Sequence, residues 1–396
     1  MLQITCLPAR AQTAAAPSHP SPADSLQPFV DSHTLAGAVV LVASKDKVLD
    51  LAAVGYADIT GHVPMKTNAL FWIASMSKPM TATALMMLVD EGKVRLDDPV
   101  EKYLPEFQGQ MLVVEQDADH VLLKKPGRPI TIRDILSHTS GLPFASRVEP
   151  KIDLHPLREA ALSYALTSLK FEPHSKYEYS NAGINTAGRI IEVVSGVPYE
   201  QFMDQRLFQP LGMKDTTFWP TAEQIQRLAK SYQPNVAKDG LEETDISQLS
   251  YPLTDPQRGP SPAGGLFSTA LDLSLFCRMI MNGGVYEGKR YVSEAAVREM
   301  TSTQTGHLLD KDQGQSGYGL GWSTSHTAGG NDSVIPGSCG HGGAYSTQMG
   351  IDPSHQLITV FLVQHAGYPG TNGGKIHSTF VNAAVEQFGQ PDHSAK

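Results

Sequence analysis

Cysteine is scarce in this chain. Cys6, Cys277 and Cys339 are an odd and widely spaced set. They give no disulfide framework, and free buried thiols are the natural reading. Charge is sparse too, at 18% of residues with a formal net charge of -9. No basic block stands out to neutralise phosphates, which argues against a nucleic-acid partner. No apolar run is long enough to span a bilayer. Three signatures of other enzyme classes are missing: the G-x-S-x-G elbow, the H-E-x-x-H zinc helix and the G-x-x-x-x-G-K-[ST] phosphate loop. Neither a metal nor a cofactor is expected.

What is present is a chain of 396 residues, 41% hydrophobic, with ample length for a core in one large domain or two. Residues 1–25 stand apart as a leader. A short apolar piece passes into an Ala/Pro/Ser stretch, and Ala9-Arg10-Ala11 resembles the small-residue cleavage site of a secretory signal. Export to the periplasm or the medium is therefore expected, with a cytoplasmic location if no signal precedes that site.

From Leu35 to Ser44 and from Lys47 to Asp58 the chain is rich in β-formers, and a polar turn joins the two runs as a hairpin. A second, smaller hairpin is predicted on either side of Asp117-Ala118-Asp119-His120. Helical periodicity then dominates in TIRDILSHTSGL, LREAALSYALTSL, AGINTAGRIIEVVSG and PYEQFMDQRLFQPLG, each ending near Gly or Pro. After Tyr251 the texture changes. A loop at Ser261-Pro262-Ala263-Gly264-Gly265 leads into a helix, and YGLGWST, AYSTQMGIDP and LITVFLVQH read as strands. Short gaps between them imply antiparallel pairing, and an amphipathic helix from about Ile376 to Phe388 closes the chain. The expected fold is α/β (α+β): an antiparallel sheet built from residues 26–90 and 255–396, flanked by helices, with a mainly helical region over residues 91–254 and the active site between them.

The residues that can do chemistry begin at Ser75-Met76-Ser77-Lys78, at the mouth of an apolar run from Met80 to Val89 that marks a buried central helix. Residues three apart on a helix share a face, so the Lys78 amine can reach the Ser75 hydroxyl and take its proton. Alone, Ser75 would read equally well as a helix cap. Ser44-Lys45-Asp46-Lys47 has the same spacing but lies between two β-like runs, as a polar hairpin tip. Tyr179 and Asn181 put a phenol and an amide on one short turn. A phenol near ammonium groups can lose its proton more easily and act as base, or pass a proton to a leaving group; Asn181 offers a donor and an acceptor. Taken alone, this pair reads as a core aromatic and a helix cap. His341-Gly342-Gly343-Ala344 precedes a strand, where glycines let a ligand approach the backbone.

In this order, Ser75-x-x-Lys78, Tyr179-x-Asn181 and His341-Gly342-Gly343 resemble the motifs of the class C β-lactamase, D-alanyl-peptidase and family VIII carboxylesterase group of serine hydrolases. Leu136-Ser137-His138-Thr139-Ser140-Gly141-Leu142 and Ala263-Gly264-Gly265-Leu266 resemble two further segments of that group, the first a structural one. The likeness runs from about Leu35 to Phe388. It implies a β-lactamase/transpeptidase-like fold and a small ester, amide or β-lactam substrate. By position it implies Ser75 as the acylated nucleophile, Lys78 and Tyr179 sharing proton transfer, and Asn181 orienting Lys78 and the acyl group. The N–H groups of Ser75 and Ala344 would form the oxyanion hole. The β-lactamases of the group usually carry K-T-G where this chain has His341-Gly342-Gly343. A histidine, with an ordinary pKa near ~6.5, is largely neutral at pH 7, and Gly342 lacks a hydroxyl. Both changes weaken recognition of a carboxylate and favour ester hydrolysis. Arg258 is the candidate for a replacement cation, and the segment from Pro143 to Glu172 is expected to line the pocket.

Overall fold

The computed structural model describes residues 21–306, 308, 316–325, 337–370 and 373–390. The Ala9-Arg10-Ala11 site and Cys6 lie outside the described residues. The leader was read as far as residue 25, yet Pro22–Leu26 is already a one-turn helix, closed by a capping box between Ser21 and Asp24. Ala23 and Leu26 are buried there against the closing helix, so folding begins ahead of the expected boundary.

Eight strands form one antiparallel sheet. In chain order they are β1 (Gly37–Ala43), β2 (Val48–Asp58), β3 (Val63–Pro64), β4 (Ser316–Tyr318), β5 (Ser323–Ser325), β6 (Cys339–Gly342), β7 (Gln348–Asp352) and β8 (Leu357–Leu362). Across the sheet they lie β4-β5-β6-β7-β8-β1-β2-β3. The seam between the two ends of the chain is β1 on β8, with Val39 opposite Leu362 and Ala43 opposite Ile358. Both faces are covered. Val39, Leu41 and Ala43 enter the main core with Met80 and Leu85. Ala38, Val40 and Val42 meet Ile376, Phe380 and Ala384 of the closing helix, Gly373–Phe388. A strand buried on both sides reads as an unbroken apolar run, which is why β1 and β8 were visible in the sequence. The tip Ser44–Lys47 is the turn between β1 and β2, its N–H groups bonded to the Ser44 hydroxyl.

The central helix, Ser77–Asp90, is buried from Ser77 through Leu88. Its apolar residues face every direction because protein surrounds it. Among the described residues, no helix is long and apolar enough to cross a membrane.

Several elements depart from the sequence reading. Ser75 is not on the central helix but in a single 3-10 turn, Ala74–Met76, immediately before it. YGLGWST is not one strand: β4 ends at Tyr318 and β5 starts at Ser323, with Gly321 turning between them at φ +75°. A side chain at Gly321 would sit 2.6 Å from Ala82 Cβ and 3.0 Å from the Lys78 carbonyl oxygen. The helix in TIRDILSHTSGL stops at Leu136, and the chain turns at His138, where φ is 60°. PYEQFMDQRLFQPLG passes through a wider π turn at Asp204–Phe208. The hairpin Ser231–Pro234 with Leu241–Thr244, the helix Glu294–Thr301 and the two-residue pairing of Phe71–Trp72 with Phe267–Ser268 were not anticipated. Two-residue strands carry no periodicity to read.

Gly321→Ala should combine a left-handed backbone penalty with a clash against the central helix. A loss of about 2 kcal/mol or more is expected in urea unfolding, and an unchanged midpoint would contradict the packing described for this turn.

Candidate active site

The turn that carries Ser75 is held from below. Ala74 adopts φ 45°, a left-handed conformation that costs an alanine roughly 1–2 kcal/mol. The Ser77 hydroxyl anchors it by donating to Ala74 O at 2.7 Å and accepting from the Leu266 N–H at 3.3 Å. The Pro262–Leu266 loop clasps the same region. Trp72 Nε1 donates to Gly264 O at 2.7 Å, Ile73 N–H to Leu266 O at 3.0 Å and Thr81 Oγ1 to Pro262 O at 2.8 Å. Asn185 Oδ1 fixes the loop from the other side by accepting the Ala263 N–H at 3.0 Å.

Lys78 is fully buried. Its Nζ lies 3.0 Å from Ser75 Oγ and donates to Ala263 O at 2.6 Å; it also stands 4.7 Å from the centre of the Tyr179 ring. Burial drives its pKa well below the ordinary lysine value, since little water is present to solvate an ammonium. Ser75, by contrast, is only half-buried and reachable from solvent. The expectation that Tyr179 would lose its proton easily is corrected here. Burial raises its pKa, and the opposing hydrogen bond with Ser75 is the smaller influence. Burial also lowers the pKa of the neighbouring Lys78, which weakens it as a cation that would favour a phenolate.

Asn181 opens the helix Asn181–Ser195, but the cap is Ser180, whose hydroxyl accepts the Gly183 N–H. The Asn181 Oδ1 is buried and has no hydrogen-bond partner among the described residues. The second bond of Lys78 thus goes to the Ala263 carbonyl rather than to this amide.

The end of β6 closes against the nucleophile turn. Thr347 Oγ1 donates to Ile73 O at 3.4 Å. A side chain on Gly343 would fall 2.1 Å from Thr347 Oγ1 and 2.6 Å from Ile73 O, so only glycine permits this approach. The Ala344 and Ser75 N–H groups have no acceptor among the described residues.

His341 is buried and fully engaged. Nδ1 lies 2.7 Å from Gly342 O, which can only accept, so Nδ1 carries the hydrogen. Nε2 then accepts from the Tyr318 hydroxyl at 2.9 Å. Burial, reinforced by Lys78, depresses the His341 pKa to about 3. A histidine of ordinary pKa would charge in mild acid; this one resists, because the ring is shielded from water. Arg258 is no substitute cation. It is buried, with Nε donating to Asp153 at 2.7 Å and Nη1 to Leu253 O and Phe218 O.

Tyr318 was missed as a site residue. It is fully buried and meets His341 from a strand 23 positions away; only the antiparallel neighbour β5, with Ser323 opposite Gly340, brings the two together. His138, Tyr177, Tyr179 and Tyr318 form an aromatic cluster. Phe144, half of it exposed, stacks on Tyr179 with ring centres 6.3 Å apart and so puts the segment after Pro143 at the mouth.

A buried amine against a reachable serine, beside N–H groups without an acceptor among the described residues, has the chemistry that nucleophilic acyl transfer would need. The sequence profile described as Beta-lactamase matches residues 23–379, and the chain belongs to the β-lactamase family. Protein Rv1367c of Mycobacterium tuberculosis (strain ATCC 25618 / H37Rv) is 34% identical over 86% of this chain and 88% of its own length. Esterase EstB of Burkholderia gladioli is 29% identical over 86% of this chain and 88% of its own. Among solved structures, EstCE1, described as a hydrolase with promiscuous acyltransferase activity, superposes with a TM-score of 0.77 at 26% identity, covering 92% of this chain and 97% of its own.

Labelling by a fluorophosphonate should disappear in Ser75→Ala and persist in Ser77→Ala. The second variant leaves the Leu266 N–H unpaired and takes one of its donors from Ala74 O, which keeps the Ser77 backbone N–H, and should cost about 1–3 kcal/mol in urea unfolding. Undiminished labelling of Ser75→Ala would remove Ser75 as the nucleophile.

Proposed function

We propose that this protein is a serine hydrolase that cleaves carboxylic esters through an acyl-enzyme on Ser75. The observation that carries the reading is the buried Lys78 amine, 3.0 Å from Ser75 Oγ. Desolvation lowers the pKa of this amine well below the ordinary lysine value, and the free amine it favours is suited to act as base. Lys78 Nζ takes the hydroxyl proton as Oγ bonds to the substrate carbonyl carbon. The Ser75 and Ala344 N–H groups receive the oxyanion. As the carbon–oxygen bond to the leaving alcohol breaks, the Tyr179 phenol gives that oxygen a proton and is replenished from the Lys78 ammonium. Water then attacks the acyl carbon, its proton passing back through the same pair, and Ser75 leaves with a proton restored. Asn181 Oδ1, without a partner among the described residues, is the acceptor for a polar group of the acyl portion.

Ester preference over β-lactams follows from His341. Both of its ring nitrogens are committed and it stays neutral, so it offers a substrate carboxylate neither charge nor a free donor. EstB, named an esterase, supports the same choice. D-amino-acid peptide and β-lactam hydrolysis are the lesser readings, and a binding protein without catalysis has no use for a buried amine on a reachable serine. Export belongs to this reading on the strength of Ala9-Arg10-Ala11 alone.

A panel of short p-nitrophenyl esters, nitrocefin and D-Ala-D-Ala peptides tests the preference: an ester should give the highest kcat/KM. Because His341 does not charge, the ester-to-nitrocefin ratio should stay flat from roughly pH 8 down to pH 5, instead of tilting toward the lactam below the usual histidine pKa. Nitrocefin turning over faster than every ester would overturn the choice.

Proton transfer has its own test. Lys78→Ala and Tyr179→Phe should each lower kcat by roughly 10² or more, and the double variant by much less than the product, since the two groups act as a unit. In the native enzyme the acylation rate should rise with pH through a Lys78 ionisation placed well below the ordinary lysine range. Strictly multiplicative losses, or a limb at the ordinary lysine pKa, would exclude this pair.

A further inference from the structure

His138 lies in a segment read as structural, but its contacts converge on Tyr179. Its carbonyl oxygen accepts the Glu178 N–H at 2.9 Å, and its Nδ1 accepts the Ser180 N–H at 3.1 Å. Those two donors flank Tyr179 in the chain. The imidazole is also packed on the phenol ring itself, with centres 4.4 Å apart, while Tyr318 stands 4.5 Å away and Tyr177 6.1 Å. Because Nδ1 accepts, the hydrogen of the neutral ring is on Nε2. That atom is buried and has no hydrogen-bond partner among the described residues.

An unpaired N–H in the interior is costly, as is the left-handed backbone of a non-glycine residue at φ 60°. Burial alone would be better served by a phenyl ring. What a phenyl ring lacks is the acceptor at the δ position that receives the Ser180 N–H. An asparagine has that acceptor and tolerates the backbone, but lacks the ring.

We propose that His138 is a positioning residue that holds the Tyr179 phenol at Ser75 and Lys78, by bonding the main chain on both sides of Tyr179 and packing against its ring. It does not itself touch Ser75 or carry a proton to substrate. The proposal rests on the reading above, in which Tyr179 transfers protons.

The test is a double-mutant cycle on a p-nitrophenyl ester, with thermal unfolding measured alongside. His138→Phe should lower kcat by about tenfold or more with KM nearly unchanged, since small misplacements of a catalytic group cost that much. His138→Asn, which keeps the acceptor, should recover most of the loss. In a Tyr179→Phe background, His138→Phe should lower kcat no further, because its effect passes through the phenol. If His138→Phe does not fold, His138→Ala carries the same comparison. A full loss that persists in the Tyr179→Phe background, an asparagine variant as slow as the phenylalanine one, or an unchanged kcat in His138→Phe would each overturn the proposal. Failure of the underlying reading looks different: Tyr179→Phe alone would then keep its kcat.

Discussion

A lysine amine taken wholly out of water governs the architecture of this site. Lys78 Nζ has two polar neighbours in hydrogen-bond range, Ser75 Oγ and Ala263 O. A charged ammonium in that position would face a large desolvation penalty, whereas a neutral amine pays little. Everything that excludes water from Lys78 therefore also lowers its pKa, as the proposed base requires. Tyr179 lies across its head, and the Pro262–Leu266 loop meets it through the Ala263 carbonyl. Because the loop is gripped by Trp72, Ser77, Thr81 and Asn185, Lys78 and Ser75 are held at their separation by the protein itself.

The same dryness sets the character of the rest of the site. Burial lowers the pKa of His341 and His138 and so favours their neutral rings, and it raises the pKa of Tyr177, Tyr179 and Tyr318, which favours the phenols. A cluster of titratable side chains thus forms a largely uncharged, aromatic wall around Ser75. Such a wall suits a substrate whose reacting group is polar and whose remainder is not, which is the description of a simple ester. Backbone N–H groups are then the natural means of stabilising a developing oxyanion, since they add no fixed charge to a low-dielectric pocket.

Much of the fold was legible in the sequence where burial is two-sided. β1, β8 and the central helix are mostly apolar because protein covers them on both faces or all round, and their order in the chain already implied a sheet closed from both ends. Elements defined by contact were not legible. The turn at Gly321 depends on Lys78 O and Ala82, which come from a distant helix. The Phe71–Trp72 pairing with Phe267–Ser268 needs two segments nearly two hundred residues apart, and neither carries a repeat of its own. The motif spacing likewise singled out Ser75 and Lys78 but put Ser75 on the helix, whereas it occupies the 3-10 turn before it.

By itself the sequence determined which functional groups the site can contain. Ser75, Lys78, Tyr179, Asn181 and the glycines after His341 are covalent facts, and their spacing needed only local geometry to suggest a nucleophile with its base. Their ionisation was decided by tertiary structure. The sequence suggested an activated phenol, a histidine that charges in mild acid and an arginine free to read a carboxylate. Burial left instead a protonated Tyr179, a neutral His341 bonded to Tyr318, and an Arg258 locked to Asp153. Charge state depends on the water and partners within a few ångströms, and those come from segments far apart in the chain.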